Sequence, residues 1–280
     1  MLNEAKDGGG GADGVRRGRP SRASIAANDQ EFIHSLAKGL AVIEAFSASS
    51  PQMTLSEVSR RVGLSPGSAR RVLRTLHLLG YASCTGTRFE LTPRVLQLGY
   101  SYLNSLPVAN LVRPRLAELT EELGANCAIS VLDGADTVFV ARTTAKETAR
   151  EPLNVGSRFP AHTSSAGKVL LADKTREELE ALFADREMEA FTPKTLTTVD
   201  ALYESLAQVR ADGWALNDQE AMPGHRSITV PVRINGKALA AVGAGAHVGV
   251  ASLSRMHSFL PSLNAAASDI AQLLQGQGAR

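Results

Sequence analysis

Apolar positions fall into a helical rhythm from Phe32 onward. In "SLAKGLAVIEAF" they place Leu36, Leu40, Ile43 and Phe46 on one face. "SASSPQM" then breaks the run, with Ser50 held extended by Pro51. A second helix starts at Thr54, whose hydroxyl caps it while Glu57, three residues on, completes a capping box. Leu55, Val58 and Val62 form its inner stripe. Gly63-Leu64 turns the chain, Ser65 caps a third helix, and Pro66 takes its first position, where no amide donor is missed. That helix, 65–79, buries Ala69, Val72, Leu73 and Leu76 and turns Ser68, Arg70, Arg71 and Arg74 outward. Alternating strands at 81–84 and 88–92 flank Thr85-Gly86-Thr87 as a hairpin. Two helices around a glycine-containing turn, the second presenting arginines, followed by a hairpin, make a winged helix-turn-helix.

The pattern beyond Pro93 predicts a linker helix ended by Pro107, a helix over 108–124, and two strands in "CAISVLDGADTVFVAR". A strand near 150–155 follows, then helices after Ser165 and over 175–183 and 198–212. Strands at 213–218, 227–234 and 238–247 precede a closing helix from 252 to 275. This order gives an α+β sensor-type domain, not a doubly wound nucleotide fold. The organisation expected is a disordered basic arm (1–28), a DNA-binding domain (29–94), the linker helix (95–107) and an effector-binding and oligomerisation domain (108–280).

Charge sharpens this division. Residues 1–94 carry 13 Lys and Arg against 8 Asp and Glu, whereas 95–280 carry 17 against 20. A basic first third on a mildly acidic remainder points to a polyanion partner for the first part alone. "RRGRPSR" (16–22) has the Gly-Arg-Pro core of an AT-hook, with Arg17 and Arg19 suited to the narrow minor groove of A·T-rich DNA. A solubilising tail is the alternative. No apolar run is long enough to span a bilayer and no secretory signal precedes the first helix, so a cytoplasmic protein with no membrane contact is expected. Two cysteines, Cys84 and Cys127, are too few for a disulfide framework and are expected as reduced, buried thiols.

"HTSSAGKVLL" (162–171) looks like a phosphate loop, but His162 stands where a Walker loop needs glycine and Val169 where it needs Ser or Thr. A capped helix start remains, with Ser164 or Ser165 as cap and the amides of Ser165, Ala166 and Gly167 able to meet a carboxylate. His162 and His225, 63 residues apart, have no metal-ligand spacing, so no metal and no cofactor are expected. Glu220 and Arg226 are candidates for an ion pair. G-x-S-x-G, H-E-x-x-H, paired cysteine ligands and a dinucleotide fingerprint are all missing, which argues against an enzyme.

Three stretches together resemble a known family. "MTLSEVSRRVGLSPGSARRVLRTLHLLGY", "LNVGSRFPAHTSSAGKVLLA" and "NDQEAMPGHRSITVPV" are similar to the DNA-binding signature and effector-domain hallmarks of the IclR-type transcriptional regulators. "FIHSLAKGLAVIEAF" and "FELTPRVLQLGYSYLNSLP" look most like the branch that governs aromatic-acid catabolism and senses protocatechuate, 4-hydroxybenzoate or related carboxylates. The resemblance implies a winged helix-turn-helix domain, a linker helix and a GAF-like α+β effector domain. It implies a homodimer or dimer of dimers on double-stranded DNA, with Ser65, Ser68, Arg70, Arg71, Arg74 and the wing's Arg88 at the duplex. It also implies an effector pocket lined by Ser165, Ala166, Asn217, His225, Ser227, Gly243 and Gly245. Where that branch often carries bulkier or thiol-bearing residues, this chain reads "AHTSSAG", and His225 replaces an apolar residue.

Overall fold

The computed structural model describes residues 31–47, 49–99, 112–145 and 153–277. In the N-terminal unit, α1 (His34–Glu44), α2 (Leu55–Val62) and α3 (Pro66–Leu78) pack with a sheet of β1 (Gln52–Thr54), β2 (Ala82–Thr85) and β3 (Arg88–Leu91) in the order β1-β3-β2. Val42, Met53, Val58, Leu73, Leu76 and Ala82 form its core. The capping box at Thr54 and Glu57 forms as the spacing predicts, and Ser65 accepts from the Ser68 amide at the start of α3. Gly63 has φ of 68°, a left-handed turn that costs a residue without Cβ little, and Ser59 locks it by donating to the Leu64 carbonyl at 2.6 Å.

Three sequence expectations change here. The inner face of α1 is Val42, Ile43 and Phe46, while Leu36 and Leu40 are 58% and 48% exposed, because no described element covers that side. The stretch read as a plain break contains β1, whose partner β3 lies 36 residues away, too far for local periodicity to reveal. Cys84 is exposed on the wing strand β2, where both Cys84 and Thr85 lie beyond the core that takes Ala82; only Cys127 is buried. Pro93–Val95 is a 3-10 turn followed by helical residues 96–99; most of the expected linker helix, like Arg17 and Arg19, lies outside the described residues.

The C-terminal unit is built on a six-stranded antiparallel sheet in the order β6-β5-β4-β9-β8-β7. Its strands are β4 (Asn126–Asp133), β5 (Asp136–Thr143), β6 (Arg158–Pro160), β7 (Ala215–Asp218), β8 (His225–Ile234) and β9 (Lys237–His247). One face packs on α4 (Arg113–Leu123), α8 (Leu253–Ser258) and α9 (Leu260–Gln277) through Leu116, Leu119, Ile129, Ile228, Val242, Leu263 and Ile270. Against the other lies α5 (Ser165–Leu171), backed by α6 (Arg176–Phe183) and α7 (Val199–Asp212). Of the strand expected near 150–155, residues 150–152 lie outside the described residues and 153–155 are not in a strand; β6 comes later, its ladder to β5 running from Arg158 to Pro160. The expected single closing helix is two, parted at Phe259, because Pro261 has no amide to continue the ladder.

Alternation along the strands divides the side chains. On β8, Ile228, Val230 and Val232 enter the α4–α9 core, while Ser227 and Thr229 face α5. β5 breaks its alternation: Ser130 pairs with Phe139 and Ile129 with Ala141, which leaves Val140 as the extra residue of a β-bulge. Phe139 and Arg142, three apart, therefore face the same side.

Candidate functional site

Between α5 and the sheet lies a cavity of about 450 Å³, within the usual range of roughly 300–1,000 Å³ for small-molecule sites. The structure brings all seven sequence-predicted pocket residues to it: Ser165, Ala166, Asn217, His225, Ser227, Gly243 and Gly245. Sequence reasoning missed the opposite wall, where Phe139, Arg142, Arg158 and Phe159 of β5 and β6 stand, and the rim residues Phe191 and Met222. No local pattern marks those positions; the β-bulge and the sheet order put them there.

At the α5 end the polar groups are hydroxyls. The Ser165 hydroxyl lies 2.7 Å from that of Ser227 and 2.8 Å from that of Thr229. Ser164 caps α5 by accepting from the Gly167 amide at 2.9 Å, and its carbonyl accepts from the Lys168 amide. Of the helix-start amides this leaves those of Ser165 and Ala166 to meet a ligand, on a helix of only seven residues. Asn217 is 2% exposed, and it is largely spent on the backbone: it donates to the Thr163 carbonyl at 2.7 Å and accepts from the Glu220 amide at 2.9 Å. Gly243 and Gly245 serve packing as well as volume. A Cβ on Gly243 would lie 2.3 Å from the Thr229 hydroxyl, and one on Gly245 3.0 Å from His225 Nε2.

The glycine and lysine of the apparent phosphate loop have other tasks. A Cβ on Gly167 would lie 2.0 Å from the Ala161 carbonyl oxygen, so the glycine permits α5 to press on the preceding backbone. Lys168 Nζ donates to both carboxylate oxygens of Glu220 at 2.6 Å, with both side chains nearly buried. Burial pushes the Glu220 carboxyl above its ordinary range, against the pull of Lys168. The expected Glu220–Arg226 pair does not form. Arg226 instead meets Asp218 at 2.5 Å and donates to the Ala251 carbonyl, because Asp218 is its cross-strand neighbour on β7. Arg226, with Lys194, holds the Asp218 carboxyl down at about 2.

His162 is not part of the cavity wall. It is 2% exposed, stands edge-on to Phe183 and bonds the Glu189 carbonyl through Nε2, while Nδ1 has no hydrogen-bond partner. Burial lowers its pKa, so it is a neutral packing residue near pH 7. Cys127 is likewise inert, pushed up to about 12 by burial. Among the described residues no cluster of three or more metal-ligating side chains forms.

In the N-terminal unit, Arg70, Arg71 and Arg74 are exposed along α3, none ion-paired among the described residues, and Ser65 and Ser68 sit at its start. Arg88 lies at the root of the wing, where it donates to the Gln52 carbonyl and stands 3.8 Å from Glu57, so part of its capacity ties β3 to β1 and α2.

Comparisons with known proteins agree with both halves of this description. The family "IclR helix-turn-helix domain" matches residues 35–83, and "Bacterial transcriptional regulator IclR C-terminal" matches residues 100–272. The chain is 37% identical over 258 residues to the Pca regulon regulatory protein of Pseudomonas putida, covering 91% of this chain and 89% of that one. A solved structure from Rhodococcus sp. RHA1 superposes with a TM-score of 0.75 at 40% identity, covering 88% of this chain and 99% of the other. An IclR homolog from Microbacterium hydrocarbonoxydans, solved in complex with 4-hydroxybenzoate, gives 0.73 at 25% identity over 86% and 99%. These are regulators rather than enzymes. With a winged helix-turn-helix, a sheet-floored cavity and matches spanning nearly the whole chain, the protein belongs to the IclR family of transcriptional regulators, with a DNA-binding domain and an effector-binding domain.

Proposed function

We propose that this regulator binds a small aromatic carboxylate in the cavity between α5 and the sheet, and that the acid switches its hold on an operator. The observation that carries the reading is the cavity itself: hydroxyls of Ser165, Ser227 and Thr229 line it on one side, and Phe139, Arg142, Arg158 and Phe159 of β5 and β6 line it on the other. The 4-hydroxybenzoate bound to the Microbacterium relative supports an aromatic acid as occupant. To switch anything, the acid must bind two arrangements of the protein unequally.

On DNA, α3 enters the major groove with Ser65, Ser68, Arg70, Arg71 and Arg74 near bases and phosphates, Arg88 flanks it from the wing, and the arm with Arg17 and Arg19 reaches the minor groove. Two copies read a pseudo-palindrome in the cytoplasm. An apolar stripe of Ile33, Leu36 and Leu40 along α1, with Leu96 and Leu98 also exposed, supports a homodimer, alone or paired again. Mobility-shift titrations of the full chain on its own promoter fragment, at several salt concentrations and with or without 4-hydroxybenzoate, test this reading. Salt-sensitive binding altered by the acid is expected. DNA binding indifferent to every aromatic acid, with no thermal shift by any of them, overturns it.

A further inference from the structure

The wall that β5 and β6 give the cavity carries two rings whose placement follows from strand register. Thr137 lies opposite Phe159, so both turn to the cavity face, and Phe139, two residues along β5, turns the same way. Phe139 and Phe159 are therefore diagonal cross-strand neighbours, a separation that aromatic side chains bridge. Their ring centroids are 5.4 Å apart with the planes tilted by 49°, an arrangement in which aromatic rings attract one another. A flat ring inserted between them would need roughly 7 Å, two carbon contacts of about 3.5 Å each. The pair is a wall and not a clamp, and a ligand ring can join it only from the cavity side.

Both rings are set in place before any ligand arrives. Buried Thr137 donates its hydroxyl proton to the Phe159 carbonyl at 3.3 Å, and the same oxygen lies 3.3 Å from the hydroxyl of Ser164, the cap of α5. The Phe139 amide donates to the Ser157 carbonyl at 3.0 Å, and the Phe139 carbonyl accepts from the Gly156 amide at 2.8 Å. Pinned backbones leave little ordering cost at binding. On the sheet beside this wall Ala128 pairs with Gly243, and these small residues leave room for a ring to lie flat. A saturated ring of the same acid would bury a similar apolar surface, so burial alone does not separate the two. The quadrupoles of Phe139 and Phe159 do, because only a π-ring answers them edge-on or offset.

We infer that Phe139 and Phe159 are the specificity-determining pair of this cavity, selecting a flat, unsaturated ring over a saturated ring that bears the same substituents. This rests on the effector reading above and adds to it the residues that choose the ring. The choice is made on β5 and β6, apart from the hydroxyls of Ser165, Ser227 and Thr229 on α5 and β8.

The test compares 4-hydroxybenzoate with trans-4-hydroxycyclohexanecarboxylate by calorimetry on the full chain, and on its Phe139→Leu and Phe159→Leu variants. Leucine keeps an apolar side chain at each half-buried position and removes the π-face. The two sites lie on separate strands, so if one variant fails to fold the other decides. The wild type is expected to favour the aromatic acid, and each variant to lower that preference by about two- to tenfold, the worth of one aromatic pair. The difference between a phenolic and an alcoholic hydroxyl is common to all three proteins and cancels in the comparison. Loss of packing alone would weaken both acids alike and leave the ratio untouched. An unchanged ratio in the variants, or a wild type that binds the aromatic acid no better than the saturated one, overturns the pair. Failure of the wild type to bind either acid sinks the effector reading instead.

Discussion

Lys168→Met probes the buried pair that stands where a phosphate-binding lysine would be. Both partners are almost out of water, at 8% and 12% side-chain exposure, and Nζ is shared by the two Glu220 oxygens at 2.6 Å. Two such ions owe their stability to each other, since neither keeps its hydration. Removing one partner leaves an uncompensated buried charge, a loss of about 3–5 kcal/mol. For a domain of this size that is a fall in Tm of roughly 6–20 °C. Urea unfolding followed through the single tryptophan, Trp214, reads it directly.

The pH dependence gives the sign. Burial already raises the Glu220 pKa, and without Lys168 it rises further. The folded variant then binds a proton more tightly than the unfolded chain, so its deficit shrinks as pH falls through the raised folded-state pKa toward the ordinary value of 4.5. The double variant Lys168→Met with Glu220→Leu should recover most of the loss, because an apolar pair of similar volume often replaces a buried ion pair without penalty. A single variant within about 1 kcal/mol of wild type, with an unaltered pH profile, would refute the reasoning.

Three further outcomes are expected. Gly167→Ala drives a methyl to 2.0 Å from the Ala161 carbonyl oxygen and should cost about 1–3 kcal/mol or more, read by urea denaturation; a smaller change would mean that α5 can slide off the backbone beneath it. Asp218, held at about 2 from 3.8 by Arg226 and Lys194, contributes stability that is complete above its unfolded pKa and lost as pH falls from 3.8 toward 2; Asp218→Asn should remove that slope from an acid titration. Replacing Arg70, Arg71 and Arg74 singly with Ala should separate base readers, each costing about 1–3 kcal/mol and relaxing specificity, from phosphate contacts, which lower the salt slope by about one. Unchanged operator affinity in all three would remove α3 from the groove.

Local rules were enough for much of this protein. The capping box at Thr54 and Glu57, the glycine turn at Gly63, the proline at the start of α3 and the strands β8 and β9 depend on neighbours within a few residues, and all were legible in the chain. The charge division and the hallmark stretches gave the DNA-binding head, the sensing body and seven of the cavity's residues. What the sequence alone could not give depends on pairings between distant segments. β1 exists only because β3 comes back to it, and the exposed side of α1 could not be told from the buried one by period. The partners of Lys168 and Arg226 were set by which loop crosses which strand. Arg142 faces the cavity because one extra residue in β5 inverts the alternation. Periodicity fixes which residues share a side of an element; only packing decides what that side meets.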